Sequence, residues 1–112
     1  MKKVILAASL LLAAGSAIAA QGTVTGNVSI IRSHDSSIAH DWVTIVGGTS
    51  AGSCTSSYNS LIAFAFEDDL KGSRHLTIAL EAKLANKQIT VTYDDVNFNN
   101  NGVCFVKHID IL

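Results

Sequence analysis

Three observations predict a small β-rich domain of five strands, with one helix between the third and the fourth. Apolar and polar residues alternate with a period of two through most of the chain beyond residue 21. The period changes once, to steps of three and four, between residues 74 and 85. Two widely separated cysteines, Cys54 and Cys104, supply the covalent staple that so small a domain profits from.

The first twenty residues stand apart from this pattern. Met1-Lys2-Lys3 is basic, Val4 to Ala14 is apolar except for Ser9, and Gly15 to Ala20 is small and weakly polar. The apolar run is too short for a bilayer-spanning helix, which needs about 20 residues. Ala17 and Ala19 form an A-x-A cleavage signal. The reading is a signal peptide over 1–20 and a single domain over 21–112, secreted or periplasmic. No later apolar run is long enough to span a membrane. An oxidising compartment and an even cysteine count predict a Cys54–Cys104 disulfide. It closes a loop of roughly 50 residues, worth about 4 kcal/mol by chain entropy.

Each element has its own signature. From Gly22 to Arg32, Val24, Gly26, Val28 and Ile30 share one strand face, and Thr23, Thr25, Asn27 and Ser29 the other. Ser33 to Asp41 is polar loop. Trp42 to Val46 is a second strand of β-formers, ended by Gly47-Gly48. A Gly/Ser/Thr-rich loop leads to a third strand, Tyr58 to Phe66, with Ile62, Phe64 and Phe66 alternating with alanines. Gly72 supplies a turn and Ser73 a helix N-cap. The helix runs from about Arg74 to Ala85, with Leu76, Ile78, Leu80 and Leu84 facing the sheet and Asn86 as its stop. Gln88 to Tyr93 is the fourth strand. Asp94 to Gly102 is an acidic, Asn-rich loop, and Val103 to Ile111 is the last strand. The resulting order, β-β-β-α-β-β, is that of an OB-fold, a five-stranded Greek-key barrel.

Charge narrows the function. Eight basic and nine acidic residues give the 112-residue chain a formal charge of −1. Removing Lys2 and Lys3 leaves 6 basic residues against 9 acidic ones, or −3. That balance, with few aromatics, argues against single-strand nucleic-acid binding. Gly48-Thr49-Ser50-Ala51-Gly52 matches G-x-S-x-G but precedes Cys54 and a strand, where a nucleophile elbow requires a helix. His34-Asp35 and His40-Asp41 repeat at no established zinc spacing. Asp95, Asn97 and Asn99 echo a calcium loop, but the glycine and glutamate positions hold Asn100 and Val106. No enzyme, metal or cofactor is predicted. Two aromatics remain as candidate contacts: Trp42 beside His40 and Asp41, and Phe98 within the Asn-rich loop.

Three strings carry a family likeness: Thr25-Gly26-Asn27-Val28, Ser50-Ala51-Gly52-Ser53-Cys54, and Asn86 followed by Lys87-Gln88-Ile89-Thr90-Val91-Thr92-Tyr93. Together with the element order they resemble the B subunits of the subtilase-cytotoxin and pertussis-like AB5 toxins, and related small secreted bacterial proteins. The likeness spans Gly22 to Phe105. It departs at Val43 to Ile45, where the toxin subunits carry a cysteine, and in the Asn-rich loop, where they carry further aromatics and prolines. The resemblance implies an OB-fold, a pentameric ring, a partner A subunit and binding of sialylated cell-surface glycans. It also implies that Thr25, at the position of a serine that contacts the sialic-acid carboxylate, belongs to the site. The expectation is thus a secreted, non-enzymatic glycan-binding domain using Thr25, Trp42 and Phe98. The alternative is a small periplasmic or extracellular inhibitor or structural protein.

Overall fold

The computed structural model describes residues 21–33, 40–96, 99–100 and 102–112. The predicted signal peptide over 1–20, the residues His34 and Asp35, and Asn97 and Phe98 lie outside the described residues. The described chain is β-rich, with one helix and one disulfide. Its elements are β1 (Gln21–Arg32), β2 (Trp42–Ile45), β3 (Ser57–Tyr58), β4 (Leu61–Ala65), α1 (Leu70–Leu84), β5 (Gln88–Asp94), β6 (Asn99–Asn100), β7 (Val103–Cys104) and β8 (Val106–Ile111). Six strands form one antiparallel sheet in the order β3-β4-β2-β1-β5-β8, and β6 and β7 form a separate hairpin.

β1 serves two neighbours. Residues Gln21 to Asn27 pair with β5, and Val28 to Arg32 pair with β2. The change of partner needs a close backbone approach at Gly26, where a Cβ would stand 2.5 Å from the Val46 carbonyl oxygen and 2.9 Å from Ile45 Cγ2. A register shift between Val28 and Ile30 follows at once. This bulge moves the inward phase from Ile30 to Ile31, which packs on the core. The same device recurs in β8, where a shift beside Lys107 makes Val106 and Ile109 the buried pair. Strict alternation from Val103 therefore misplaces the inner face of the last strand. At the far side of the sheet, Ala65 of β4 makes a parallel bridge to Phe105, so the sheet curls until β4 meets the chain between β7 and β8.

The expected third strand is two strands. Asn59 and Ser60 have φ of 51° and 67°, the left-handed pair of a two-residue hairpin, and fold β3 back on β4. The core is built from Val43, Ile45, Phe64, Ile89, Val91 and Val106, all essentially inaccessible, with Tyr93 stacked 5.6 Å from Phe64. Burial raises the Tyr93 phenol above its ordinary pKa, and the Asp95 carboxylate adds to the effect.

The helix begins earlier than Ser73. Asp69 is its N-cap and accepts a 2.8 Å hydrogen bond from the Gly72 amide. Gly72 lies inside the first turn, where a Cβ would strike the Glu67 carbonyl. At the other end Asn86, at φ 54°, donates to the Lys83 carbonyl while Lys87 donates to Ala82, the double bond of a Schellman cap. Of the expected inward face, Leu76 and Ile78 pack against the core and Leu80 and Leu84 do not. Leu80 is 47% exposed and Leu84 80% exposed, whereas Gly72, Ala79 and Ala82 are buried, flanked by Leu76 and Ile78. Small side chains let the backbone of α1 come close to β1, β5 and β8. Bulk alone therefore overextends the packed face toward Leu80 and Leu84.

Cys54 and Cys104 form the disulfide, with Cα atoms 5.6 Å apart. It fixes the loop between β2 and β3 to β7, and the Gly102 carbonyl accepts from the amides of Thr55 and Ser56 beside it. Reduction, or Cys104→Ala, is expected to lower unfolding stability by about 4 kcal/mol; chemical denaturation with and without reductant measures it, and an unchanged midpoint contradicts it. The helix contact gives a paired expectation. Ala79→Leu should destabilise by about 1–3 kcal/mol through overpacking, while Leu80→Ala should stay within about 1 kcal/mol. The reverse ranking in thermal melts would return the leucines to the core.

Candidate functional site

The register brings three side chains to one face at one end of the sheet. Arg32 pairs with Trp42, and Trp42 pairs with Ala65. Directly paired residues project to the same side. Tyr58, paired with Leu61, joins them from β3. The positions between, Ala63 and Ala65, carry only methyl groups and are 6% and 2% exposed. They leave room for the large rings to meet above β4. The Trp42 and Tyr58 ring centroids are 5.2 Å apart with planes at 45°. The Arg32 guanidinium carbon lies 5.2 Å from the Trp42 ring centre and 4.8 Å from that of Tyr58. Its Nη2 also donates to the Tyr58 hydroxyl at 3.3 Å.

This arrangement orients a cation. Two ring faces and a phenol oxygen hold the planar guanidinium in place. Arg32 is exposed, while Trp42 and Tyr58 are half-buried. A guanidinium has five N–H donors in a fork that matches a carboxylate. Beneath the patch, Thr44 is fully buried and its hydroxyl accepts from the Ile30 amide at 3.2 Å. The bulge in β1 thus has its polar group satisfied while it turns Arg32 toward Trp42.

The other predicted residues do not converge here. Thr25 is exposed on the half of β1 that pairs with β5, and its hydroxyl lies 2.8 Å from that of Thr90. Seven residues separate Thr25 from Arg32, roughly 20 Å along a strand. Trp42 and Thr25 are therefore not parts of one small site. Phe98 lies outside the described residues. Asp95 braces the disulfide loop: its Oδ2 accepts from the Ser53 amide at 2.8 Å, and its carbonyl accepts from the Ser53 hydroxyl at 3.0 Å. His40 stands edge-on to Phe105 with centroids 4.8 Å apart, and its Nδ1 is 3.3 Å from an Asp68 carboxylate oxygen. Among the described residues, no group of three or more His, Cys, Asp or Glu is placed to hold a metal ion. The loop of Ser50 leads into β3, not into a helix.

Sequence reasoning found Trp42 and missed its partners. Arg32 and Tyr58 are separated from it by a polar loop and a strand crossing. The usable signal was the alternation of alanines in β4 beside an aromatic at the hairpin edge. No helix among the described residues is long and apolar enough to cross a membrane. No family model matches the chain, and no curated protein or solved structure is significantly similar to it.

Removing the guanidinium tests the geometry. Trp42 is the sole tryptophan, so its fluorescence reports this patch alone. Arg32→Ala should shift the emission to longer wavelength and increase quenching by acrylamide, with a stability change within about 1 kcal/mol. An unchanged spectrum would separate Arg32 from the ring pair.

Proposed function

We propose that this chain is an exported, non-enzymatic binding domain with an OB-type barrel, and that Arg32, Trp42 and Tyr58 form its ligand contact. The observation that carries the reading is the guanidinium held over two rings. An acidic sugar offers both halves of what such a patch recognises: a carboxylate for the guanidinium fork and apolar C–H faces for the rings. The barrel assignment draws support from β1 being shared between β2 and β5, from the parallel bridge of Ala65 to Phe105, and from the helix between β4 and β5. Export draws support from the basic and apolar N-terminus and from the disulfide.

The toxin B-subunit likeness extends this reading to sialylated cell-surface glycans, to a ring of five copies and to a partner A subunit. Weak single sites would then gain avidity from presentation on one face of the ring. The test is a glycan array with the disulfide-bonded domain, accompanied by light scattering for its mass. The expected result is binding of carboxylated glycans that falls about tenfold or more, at least 1.4 kcal/mol, in Arg32→Ala and Trp42→Ala. Binding that survives both changes but is lost in Thr25→Ala would place the site at β1 and β5. An empty array from a strict monomer would favour the inhibitor or structural alternative.

A further inference from the structure

A second polar surface lies away from the aromatic patch, where the first two turns of α1 face β8. An open cleft of about 410 Å³ runs between them. Lys71, Arg74 and His75 line it from the helix, His108 and Asp110 from β8, and Thr92 from β5. His108 and Thr92 are cross-strand partners, which sets an imidazole beside a hydroxyl. Four basic side chains thus converge on a single lining carboxylate, in a chain whose formal charge is −1.

Their position on the helix is electrostatically adverse. The N-terminal end of a helix carries partial positive charge and favours anions. Here the first turn contains no acidic residue, and three basic side chains occupy the first two turns. Asp69 offsets part of this charge from the N-cap, where its carboxylate already accepts from Gly72. An unfavourable concentration of charge around an open cleft is relieved when an anion enters it.

We propose that this cleft binds a tetrahedral oxyanion, a sulfate or phosphate group, through Arg74, Lys71, His75 and His108, with the Thr92 hydroxyl as a further donor. The guanidinium and ammonium bring N–H donors that match anionic oxygens, and the two imidazoles add ring N–H donors. In the free protein, burial lowers the His75 pKa below its ordinary value; His108 and Lys71 lower it further, and only Asp69 opposes them. A bound dianion reverses the balance. The His75 pKa then lies higher in the complex than in the free protein. Binding is therefore strongest at pH below the free His75 value and weakens as pH rises through the His75 value of the complex.

Sulfate is the cleanest probe, since its charge is constant from pH 5 to pH 8 on chemical grounds. Imidazole resonances of the full disulfide-bonded domain are followed by NMR against pH, with sodium sulfate or with chloride at equal ionic strength. The expected result is a sulfate-dependent rise of about one pKa unit at His75, equivalent to tenfold tighter binding to the protonated imidazole. Arg74→Gln, an exposed change with little structural consequence, should abolish the rise. Orthophosphate and a sulfated monosaccharide, titrated separately at pH 5.5, distinguish a free anion from one borne on a sugar. Tenfold tighter binding of the sugar ester assigns the borne form, and equal binding assigns the free ion. No rise at His75 with sulfate, an equal rise with chloride, or an undiminished response in Arg74→Gln would overturn the proposal. Because Arg74 is not one of the residues of the Trp42 patch, carboxylated-glycan binding by Arg74→Gln tests the two sites independently.

Discussion

One strand cannot lie flat against two neighbours that diverge, and β1 resolves this conflict by bending. Its first half belongs to β5 and its second half to β2, with Gly26 at the crossing. The absence of a Cβ there lets the backbone of β1 pass under Val46. The bulge that follows increases the local twist and changes the phase of the strand. Everything else inherits this bend. It lets the sheet curl far enough for Ala65 to bridge to Phe105, and it turns the end of β1 so that Arg32 meets Trp42.

The disulfide and the helix act on the curled sheet from different directions. Cys54–Cys104 and the Asp95–Ser53 hydrogen bonds hold the long connection between β2 and β3 against β7 and the end of β5. This connection precedes the hairpin that delivers Tyr58, so the staple helps to position one wall of the aromatic patch. The helix lies on β1, β5 and β8 chiefly through buried glycine and alanine, with Leu76 and Ile78 at the flanks. Close packing of small residues leaves the longer polar side chains of the first two turns at the edge of β8. There they form the basic cleft. The aromatic patch and the cleft are thus separate products of the same curled sheet.

Much of this was legible in the sequence. The positions of β1, β2 and β5, the helix between β4 and β5, and the pairing of Cys54 with Cys104 follow from period, composition and cysteine count. Asn86 also marks the helix end, because few other residues accept its left-handed conformation as readily. The failures share a physical origin in local irregularity. A bulge inverts the alternation after Val28, and a second one inverts it before Ile109, while a period-two reading carries straight through both. The Asn59-Ser60 turn was hidden inside a run of plausible strand residues. Hydrophobic bulk favoured Leu80 and Leu84, whereas closeness of approach selected Ala79 and Ala82. Trp42 was visible as a candidate contact, but its pairing with Arg32 and Tyr58 depends on strand register, which also sets it seven residues along β1 from Thr25.

The bend is the central structural claim, and cross-strand nuclear Overhauser contacts along β1 test it most directly. The account predicts contacts of Val24 with Val91, of Ile31 with Val43, and of Ala65 with Phe105, all in one molecule under one set of conditions. A β1 whose first half shows contacts with β2 in place of β5, or a sheet lacking the Ala65–Phe105 contact, would contradict it.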